Sequence, residues 1–107
     1  MMLRESDLQQ SIIKVARDAG WLAYATYRSV RSEPGFPDVV AVRPPRILFL
    51  ELKTSNGRLR PGHWNKAKTR WLPGQDTWAE ALGQCPGVEY YLIRPADLEW
   101  IYGTLCQ

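Results

Sequence analysis

Two short apolar segments, each adjoining a carboxylate, constrain the fold of this chain more than any other feature. Asp38 directly precedes the apolar residues 39–42, and Glu51 directly follows the apolar residues 47–50. Such runs on either side of the Arg-Pro-Pro-Arg sequence at 43–46 predict adjacent β-strands joined by a tight connection. Strands joined in this way are antiparallel, so the start of the first lies beside the end of the second. We therefore expect Asp38 and Glu51 at the same end of a sheet.

A lysine adds to this polar cluster. Glu51 and Lys53 are two residues apart, so on a strand both side chains leave the same face. Two carboxylates and an ammonium at the end of a buried sheet are costly unless they serve a cation or a reaction. The pattern indicates a divalent-metal phosphodiesterase site. The alternative is that Lys53 forms a structural ion pair with Glu51 at the sheet edge.

This pattern resembles the PD-(D/E)XK nuclease superfamily and, within it, the small VRR-NUC domains and the archaeal-type Holliday junction resolvases. The resemblance covers most of the chain and rests on the order of the motifs, since each short motif alone is common. The matching positions are Glu5 in the first predicted helix, the Gly-Phe-Pro-Asp motif at 35–38, the Glu-Leu-Lys motif at 51–53, Gln75 and Trp78. The segment between the Glu-Leu-Lys motif and Gln75 is longer than in minimal family members, so the resemblance fixes the register of Gln75 less firmly.

The resemblance implies an α/β fold (an α+β mixed sheet) with a restriction-endonuclease-like α-β-β-β-α-β core and flanking helices. It also implies Mg²⁺- or Mn²⁺-dependent hydrolysis of DNA phosphodiester bonds that leaves 5′-phosphates. Asp38, Glu51 and the backbone carbonyl of Leu52 would bind the ion. Glu5 would bind it directly, through water, or by way of a second ion. The catalytic set would be Asp38, Glu51, Lys53 and Gln75, with Lys53 orienting or deprotonating the attacking water.

Hydrophobic periodicity and turn residues predict the same order of elements. The predicted elements are a helix over 3–19 that ends at Gly20, a strand over 21–27, the two strands described above, a helix over 73–82, a strand over 88–93, and a terminal helical segment over 95–102. No internal repeat or interdomain linker is visible, so residues 1–107 are predicted to form a single nuclease domain.

Helix geometry places two further polar residues on apolar faces. At about 100° per residue, Glu5 lies on the buried stripe that continues through Ile12, so its carboxylate is expected to point inward, whereas Asp7 lies on the opposite side and should be solvated. Gln75 begins the apolar face that Trp78 continues one turn later. These positions favour roles at the site, and two alternatives stay open. Glu5 could simply complement the helix dipole, and Gln75 could hydrogen-bond a helix end.

The positive charge of the chain is unevenly distributed. Between Ser55 and Leu72 there are five basic residues and no acidic one, and the basic residues are Arg58, Arg60, Lys66, Lys68 and Arg70. Trp64 and Trp71 are interspersed with these charges, a composition that suits contact with a nucleic-acid backbone. The alternative is a solvated loop or helix whose tryptophans cover the core. Arg28 and Arg31, in the polar loop before the Gly-Phe-Pro-Asp motif, are further candidates for binding nucleic acid.

The rest of the composition argues against several other kinds of function. With a single histidine, His63, neither a zinc cluster nor a Ser-His-Asp triad is easily built. Cys85 and Cys106 lack metal-type spacing and are predicted to be free thiols in a reducing compartment. No apolar run approaches the roughly 20 residues of a membrane helix, and no signal sequence is visible. We therefore expect a cytoplasmic protein without a membrane partner or an organic cofactor.

Three hypotheses for the function follow. The first is a metal-dependent nuclease that acts on branched DNA such as Holliday junctions. The second is a non-catalytic nucleic-acid-binding module on a nuclease-like fold. The third is an accessory protein in which Asp38, Glu51 and Lys53 form a structural ion-pair network. For the first we also expect a homodimer, because two symmetric cuts need two sites and the aromatic-rich residues 90–102 suit an interface.

Overall fold

A four-stranded mixed sheet organises the protein, whose computed structural model describes residues 4–26 and 34–107. In chain order the elements are α1 (Glu5–Asp18), β1 (Leu22–Ala25), β2 (Val39–Arg43), β3 (Arg46–Leu52), β4 (His63–Asn65), β5 (Arg70–Leu72), α2 (Gln75–Gly83), β6 (Glu89–Ile93) and α3 (Leu98–Leu105). A single 3₁₀ turn, Pro95–Asp97, precedes α3. The sheet has the order β1-β2-β3-β6, in which β1, β2 and β3 are antiparallel neighbours and β6 pairs with β3 in parallel. β4 and β5 form a separate hairpin.

The central strand β3 separates two faces of the sheet. Leu48, Leu50 and Leu52 are at most 1% exposed and belong to the apolar core that α1 and α3 cover. Phe49 and Glu51 alternate with them and leave the opposite face, where α2 lies. One face of β3 therefore supports the core, and the other carries the polar residues.

The first helix follows its apolar stripe and ends at a glycine. Its buried residues are Leu8, Ile12, Ile13 and Ala16. Gly20 has a φ of +90° and donates its amide N–H to the carbonyl of Arg17 at 3.1 Å, which ends the helix as predicted. At the other end, Oδ2 of Asp7 accepts a hydrogen bond from the backbone N–H of Arg4 at 3.2 Å. Asp7 is exposed, as predicted, and caps the helix.

The predicted order of helices and sheet strands is confirmed, and a hairpin is added to it. Arg43 pairs with Arg46 across the two prolines, so the tight connection between β2 and β3 is as predicted. β1 is shorter than its prediction, and the last predicted residue, at position 27, lies outside the described residues. The sequence does not predict the β4–β5 hairpin because its turn lacks the usual glycine. Thr69 takes a left-handed φ of +48° there instead.

Most aromatic residues of β6 and α3 pack within the protein. The ring of Tyr91 contacts that of Trp100 edge-on, with centroids 4.8 Å apart, and the hydroxyl of Tyr102 hydrogen-bonds Ser11. Of the four aromatic residues over 90–102, Trp100 is the one that is largely exposed, at 51%. Most of this aromatic area therefore serves the packing of the chain itself.

Among residues 4–26 and 34–107, no helix combines the length and the apolar character that crossing a membrane requires.

Candidate active site

Asp38 lies just before β2, and hydrogen bonds fix both its carboxylate and its backbone. Its Oδ2 accepts a hydrogen bond from the backbone N–H of Leu52 at 2.8 Å. Its carbonyl accepts hydrogen bonds from the backbone N–H of Thr26 at 2.8 Å and from Nε2 of Gln9 at 3.1 Å. The hydroxyl of Thr26 also donates to the carbonyl of Pro37 at 3.0 Å. Asp38 therefore lies at the end of β3, where the order of the two strands predicts it.

Glu51 is buried on the α2 side of β3, where Gln75 binds its carboxylate. Gln75 is the first residue of α2 and is 5% exposed. Its Nε2 donates to Oε1 of Glu51 at 2.9 Å, and its Oε1 accepts from the backbone N–H of Arg60 at 2.9 Å. Because both ends of the amide are used, its orientation is fixed. These bonds tie Gln75 to the carboxylate and not to a helix end.

The surroundings of Glu51 strongly change the pKa of its carboxyl group. Burial, followed by a hydrogen bond with Asp38 and by the charge of that residue, raises the pKa of Glu51 to about 9, although the ammonium of Lys53 lowers it. Burial also raises the pKa of Tyr90, on β6, to about 12, with contributions from the charges of Glu51 and Asp38. At neutral pH and without a cation, Glu51 is therefore protonated.

Lys53 directly follows β3, and only 9% of it is exposed. Its backbone N–H donates to the carbonyl of Ile93 at 3.0 Å, which extends the pairing of β3 with β6 by one residue. The ion pairs among the described residues are Lys14–Asp18 and Arg46–Glu89. The alternative in which Lys53 forms a structural ion pair with Glu51 is therefore not what the structure shows.

A cleft of about 600 Å³ opens beside these residues. Its polar lining includes Glu5, Gln9, Asp38, Lys53, Arg60 and Gln75. Glu51 itself is 1% exposed and contacts the cleft through Asp38 and Gln75, both of which line it. The cleft thus unites the predicted acidic, basic and amide residues of α1, β2, β3 and α2.

Glu5 lines the cleft but is not buried. It is the first residue of α1, and its side chain is exposed. The expectation that Glu5 points into the core is wrong, because the helix stripe reaches the core only from Leu8 onwards. The charge of Glu5 still makes a small contribution to raising the pKa of Glu51. Glu5 therefore stands at the open side of the cleft.

Close backbone contacts of two glycines hold the parts of the site together. Gly35 has a φ of +88°, and a Cβ there would lie 2.6 Å from the carbonyl carbon of Gly74. A Cβ on Gly74 would in turn lie 2.2 Å from the carbonyl carbon of Pro61. Beside them, the ring of Phe36 packs edge-on against Trp78, with centroids 5.0 Å apart. The Gly-Phe part of the Gly-Phe-Pro-Asp motif therefore attaches the Asp38 loop to the start of α2.

The donor atoms suit a small, hard cation that keeps part of its water. Asp38 and Glu51 supply two carboxyl groups, the first bound to the backbone N–H of Leu52 and the second to the amide of Gln75. In the part of the chain that the structure describes, no group of three or more His, Cys, Asp or Glu side chains is arranged to hold a metal ion. Mg²⁺ is usually bound by one or two carboxylates and retains several waters, whereas zinc sites need three or four protein ligands. The pair therefore fits Mg²⁺ or Mn²⁺.

The predicted basic residues surround the hairpin and the edge of the cleft. All five are exposed: Arg58, Arg60, Lys66, Lys68 and Arg70. Of the five, Arg60 also lines the cleft, together with Asp38. Arg28 and Arg31, the other predicted nucleic-acid contacts, lie outside the described residues.

Sequence reasoning missed three residues of this site. Gln9 binds the Asp38 backbone and lies one turn after Glu5, a helical spacing that could have revealed it. Thr26 ends the first strand, and its contact with Pro37 has no sequence signal. Tyr90 has a buried hydroxyl without a hydrogen-bond partner in the described part of the chain. Its position follows from the parallel register of β6 with β3, which the sequence does not determine.

No protein-family model matches this chain, and no curated protein matches it significantly.

Proposed function

We propose that this protein is a metal-dependent DNA nuclease that hydrolyses phosphodiester bonds. The observation that carries the proposal is the convergence of Asp38, Lys53 and Gln75 on one cleft, where Gln75 binds the carboxyl group of the buried Glu51. Burying the carboxyl group of Glu51 close to that of Asp38 costs free energy, and a divalent cation offsets that cost. A cleft that combines this pair with a lysine outside any described ion pair suits hydrolysis of a phosphate ester.

The sequence motifs and the sheet support the same proposal. The Gly-Phe-Pro-Asp and Glu-Leu-Lys motifs resemble those of the PD-(D/E)XK superfamily, including its VRR-NUC domains. The first carries Asp38 at the start of β2, and the second carries Glu51 and Lys53 at the end of β3. A mixed four-stranded sheet between helices is compatible with the restriction-endonuclease-like topology that we propose for the chain.

Each residue of the cleft has a role in this proposal. Asp38, Glu51 and the carbonyl of Leu52 bind Mg²⁺ or Mn²⁺, with Glu5 contributing from the open side. The ion would supply polarisation of the scissile phosphate and acidification of a water molecule. Lys53 orients the attacking water and offsets the negative charge that develops on the phosphate. Gln75 holds the carboxylate of Glu51 in place through its amide N–H.

We further propose that the substrate is DNA, bound through the basic segment and cut at a branch such as a Holliday junction. Exposed cations that continue from Arg60 at the cleft to the hairpin provide a path for the phosphate backbone. A homodimer would place two clefts on one junction.

Cleavage and metal binding, measured on the same variants, test this function. We expect the protein to cut DNA only with Mg²⁺ or Mn²⁺, and Asp38→Ala, Glu51→Ala and Lys53→Ala each to lower turnover by at least about 100-fold. Titration calorimetry should show weaker metal binding for the two carboxylate variants and unchanged binding for Lys53→Ala, because an ammonium is not a ligand. Glu80→Ala, which removes an exposed carboxylate of α2, is the matched control and should behave as the unmodified protein.

Three results would refute the assignment. Undiminished cleavage by well-folded Glu51→Ala protein would separate the activity from the carboxyl pair. DNA binding without cleavage under all metal conditions would favour the non-catalytic nucleic-acid-binding module. If the protein binds neither metal nor DNA, the third hypothesis is favoured, an accessory protein with a structural polar network.

A further inference from the structure

Two tryptophans lie side by side on one face of the β4–β5 hairpin. Trp64 and Trp71 are directly opposite each other in the antiparallel register, so their side chains leave the same face. Each is 57% exposed. They therefore cover little of the core, contrary to the alternative that tryptophans of this segment serve only to cover it. Two large aromatic side chains left in water next to each other indicate a binding surface.

The charge around this pair selects an anionic partner. Residues 55–72 contain five basic residues and no acidic one, and all five are exposed. Lys66 and Lys68 lie in the hairpin turn, whereas Arg70 precedes Trp71 on β5 and its side chain leaves the opposite face of the hairpin. A hairpin that carries both exposed aromatic rings and exposed cations matches the chemistry of a nucleic-acid strand, which offers base faces and phosphates together.

The two tryptophans are also held at a fixed position relative to the cleft. A Cβ on Gly62 would lie 2.6 Å from Cζ2 of Trp71, so the indole rests on the backbone of that glycine. The N–H of Gly62 donates to Oδ1 of Asp76 on α2 at 3.1 Å. Two residues earlier, the N–H of Arg60 donates to Gln75, which binds Glu51. A nucleic-acid strand bound to the hairpin would therefore lie at a fixed position relative to Asp38 and Glu51.

We propose that Trp64 and Trp71 form a stacking platform for unpaired bases of a nucleic-acid strand, while the basic residues around them bind its phosphates. Bases within a duplex are already stacked and paired, so the platform binds a single-stranded segment. The consequence for catalysis rests on the proposed nuclease function. The cleft would then cut next to an unpaired region, such as the opened bases at a branch point or a single-stranded end.

Binding of two strands that differ only in their bases tests the platform. Fluorescence anisotropy is measured in EDTA, so that no strand is cut, with labelled oligothymidine and with an abasic strand of the same length and charge. We expect the unmodified protein to bind oligothymidine about tenfold more tightly than the abasic strand. Trp64→Ala and Trp71→Ala should each remove most of that preference and leave the affinity for the abasic strand unchanged. Trp100→Ala, which removes an exposed tryptophan on α3, should keep the preference.

If the unmodified protein binds the two strands with equal affinity, or binds neither, the proposed platform is refuted. This outcome needs no variant. Retention of the full preference in folded Trp64→Ala/Trp71→Ala protein would overturn it as well. The phenylalanine variants at both positions keep an aromatic face, so they should retain part of the preference even if the alanine variants do not fold. A failure of the nuclease assignment is distinguishable, because the base preference is measured without metal and without cleavage.

Discussion

The raised pKa of Glu51 makes the stability of the metal-free protein depend on pH. In the unfolded chain Glu51 has its ordinary pKa of 4.5, whereas in the folded protein burial and Asp38 raise that pKa to about 9. Between these two values the folded state binds more protons than the unfolded state, so the free energy of unfolding falls as pH rises. In EDTA, urea denaturation between about pH 6 and 8.5 should show a fall approaching 1.4 kcal/mol per pH unit, roughly the value for one linked proton.

Two variants assign this pH dependence to Glu51. Glu51→Gln keeps an oxygen that accepts the hydrogen bond of Gln75 but cannot ionise, so the fall should disappear. Glu89→Gln is the matched control. Its hydrogen bond with Arg46 lowers the pKa of Glu89, so the stability linked to that group is lost only as the solution becomes acidic. If the free energy of unfolding of Glu51→Gln still fell as steeply with rising pH, another group would carry the proton.

The residues that sequence reasoning located follow short-range rules. Asp38, Glu51 and Lys53 follow from the alternation of side chains along strands that are joined by two prolines. Gln75 follows from helical spacing, although its two hydrogen bonds depend on contacts with distant segments. The same spacing gave the wrong burial for Glu5, because the ends of helices often extend beyond the core that the middle covers. Tyr90 was missed because it depends on long-range strand register.

At the level of the elements, Gly74 is the point where α2 meets the segment that leads into the hairpin. Gly74→Ala would place a Cβ 2.2 Å from the backbone of Pro61. Pro61 follows Arg60, which lines the cleft, so the backbone there cannot move aside without disturbing the cleft. We expect thermal denaturation to show that the free energy of unfolding is lower by about 1–3 kcal/mol. Gly83→Ala, at the other end of α2, meets nothing within 4 Å and should leave stability unchanged or raise it. Equal effects of the two substitutions would contradict the close contact.

The basic hairpin makes a separate prediction about salt. Lys66 and Lys68 are exposed in its turn, away from the carboxyl pair. If both contact phosphates, Lys66→Gln/Lys68→Gln should weaken binding to duplexes of any sequence and reduce the slope of log affinity against log salt by about 1.8. Lys14→Gln, on α1 and paired with Asp18, is the control and should not change the slope. An unchanged slope in the double variant would make the turn a solvated surface.

The elements themselves differ in how much local sequence determines them. β2, β3, α1 and α2 are bounded by strong signals, namely apolar runs, Pro and Gly, and all were predicted in order. The hairpin combines three-residue strands with a turn in which a threonine takes a left-handed conformation. Local propensity favours neither feature, so the contacts of Gly62 and Asp76 stabilise a hairpin that the sequence alone does not indicate.

For the whole molecule, the predicted homodimer remains a prediction with a direct measurement. The aromatic residues that suggested it pack largely inside the protein, and Trp100 is the one that is mostly exposed. Sedimentation equilibrium at micromolar concentration should still give twice the monomer mass of 12.3 kDa if two clefts act on one junction. A monomer that cuts flaps or single-ended substrates in preference to four-way junctions would contradict both the dimer and the junction.

The parallel pairing of β3 with β6 determines when the site is completed as the chain folds. β2 and β3 are joined by two residues, so their pairing is local along the chain. The bond from Gln75 to Glu51 spans 24 residues, and the bond from Lys53 to Ile93 spans more. On the ribosome, β2 and β3, which position Asp38 and Glu51, therefore emerge well before α2 and β6, which pack against them. A nascent chain carries its carboxylates solvated and separate, and Glu51 becomes fully enclosed only when residue 93 has left the exit tunnel.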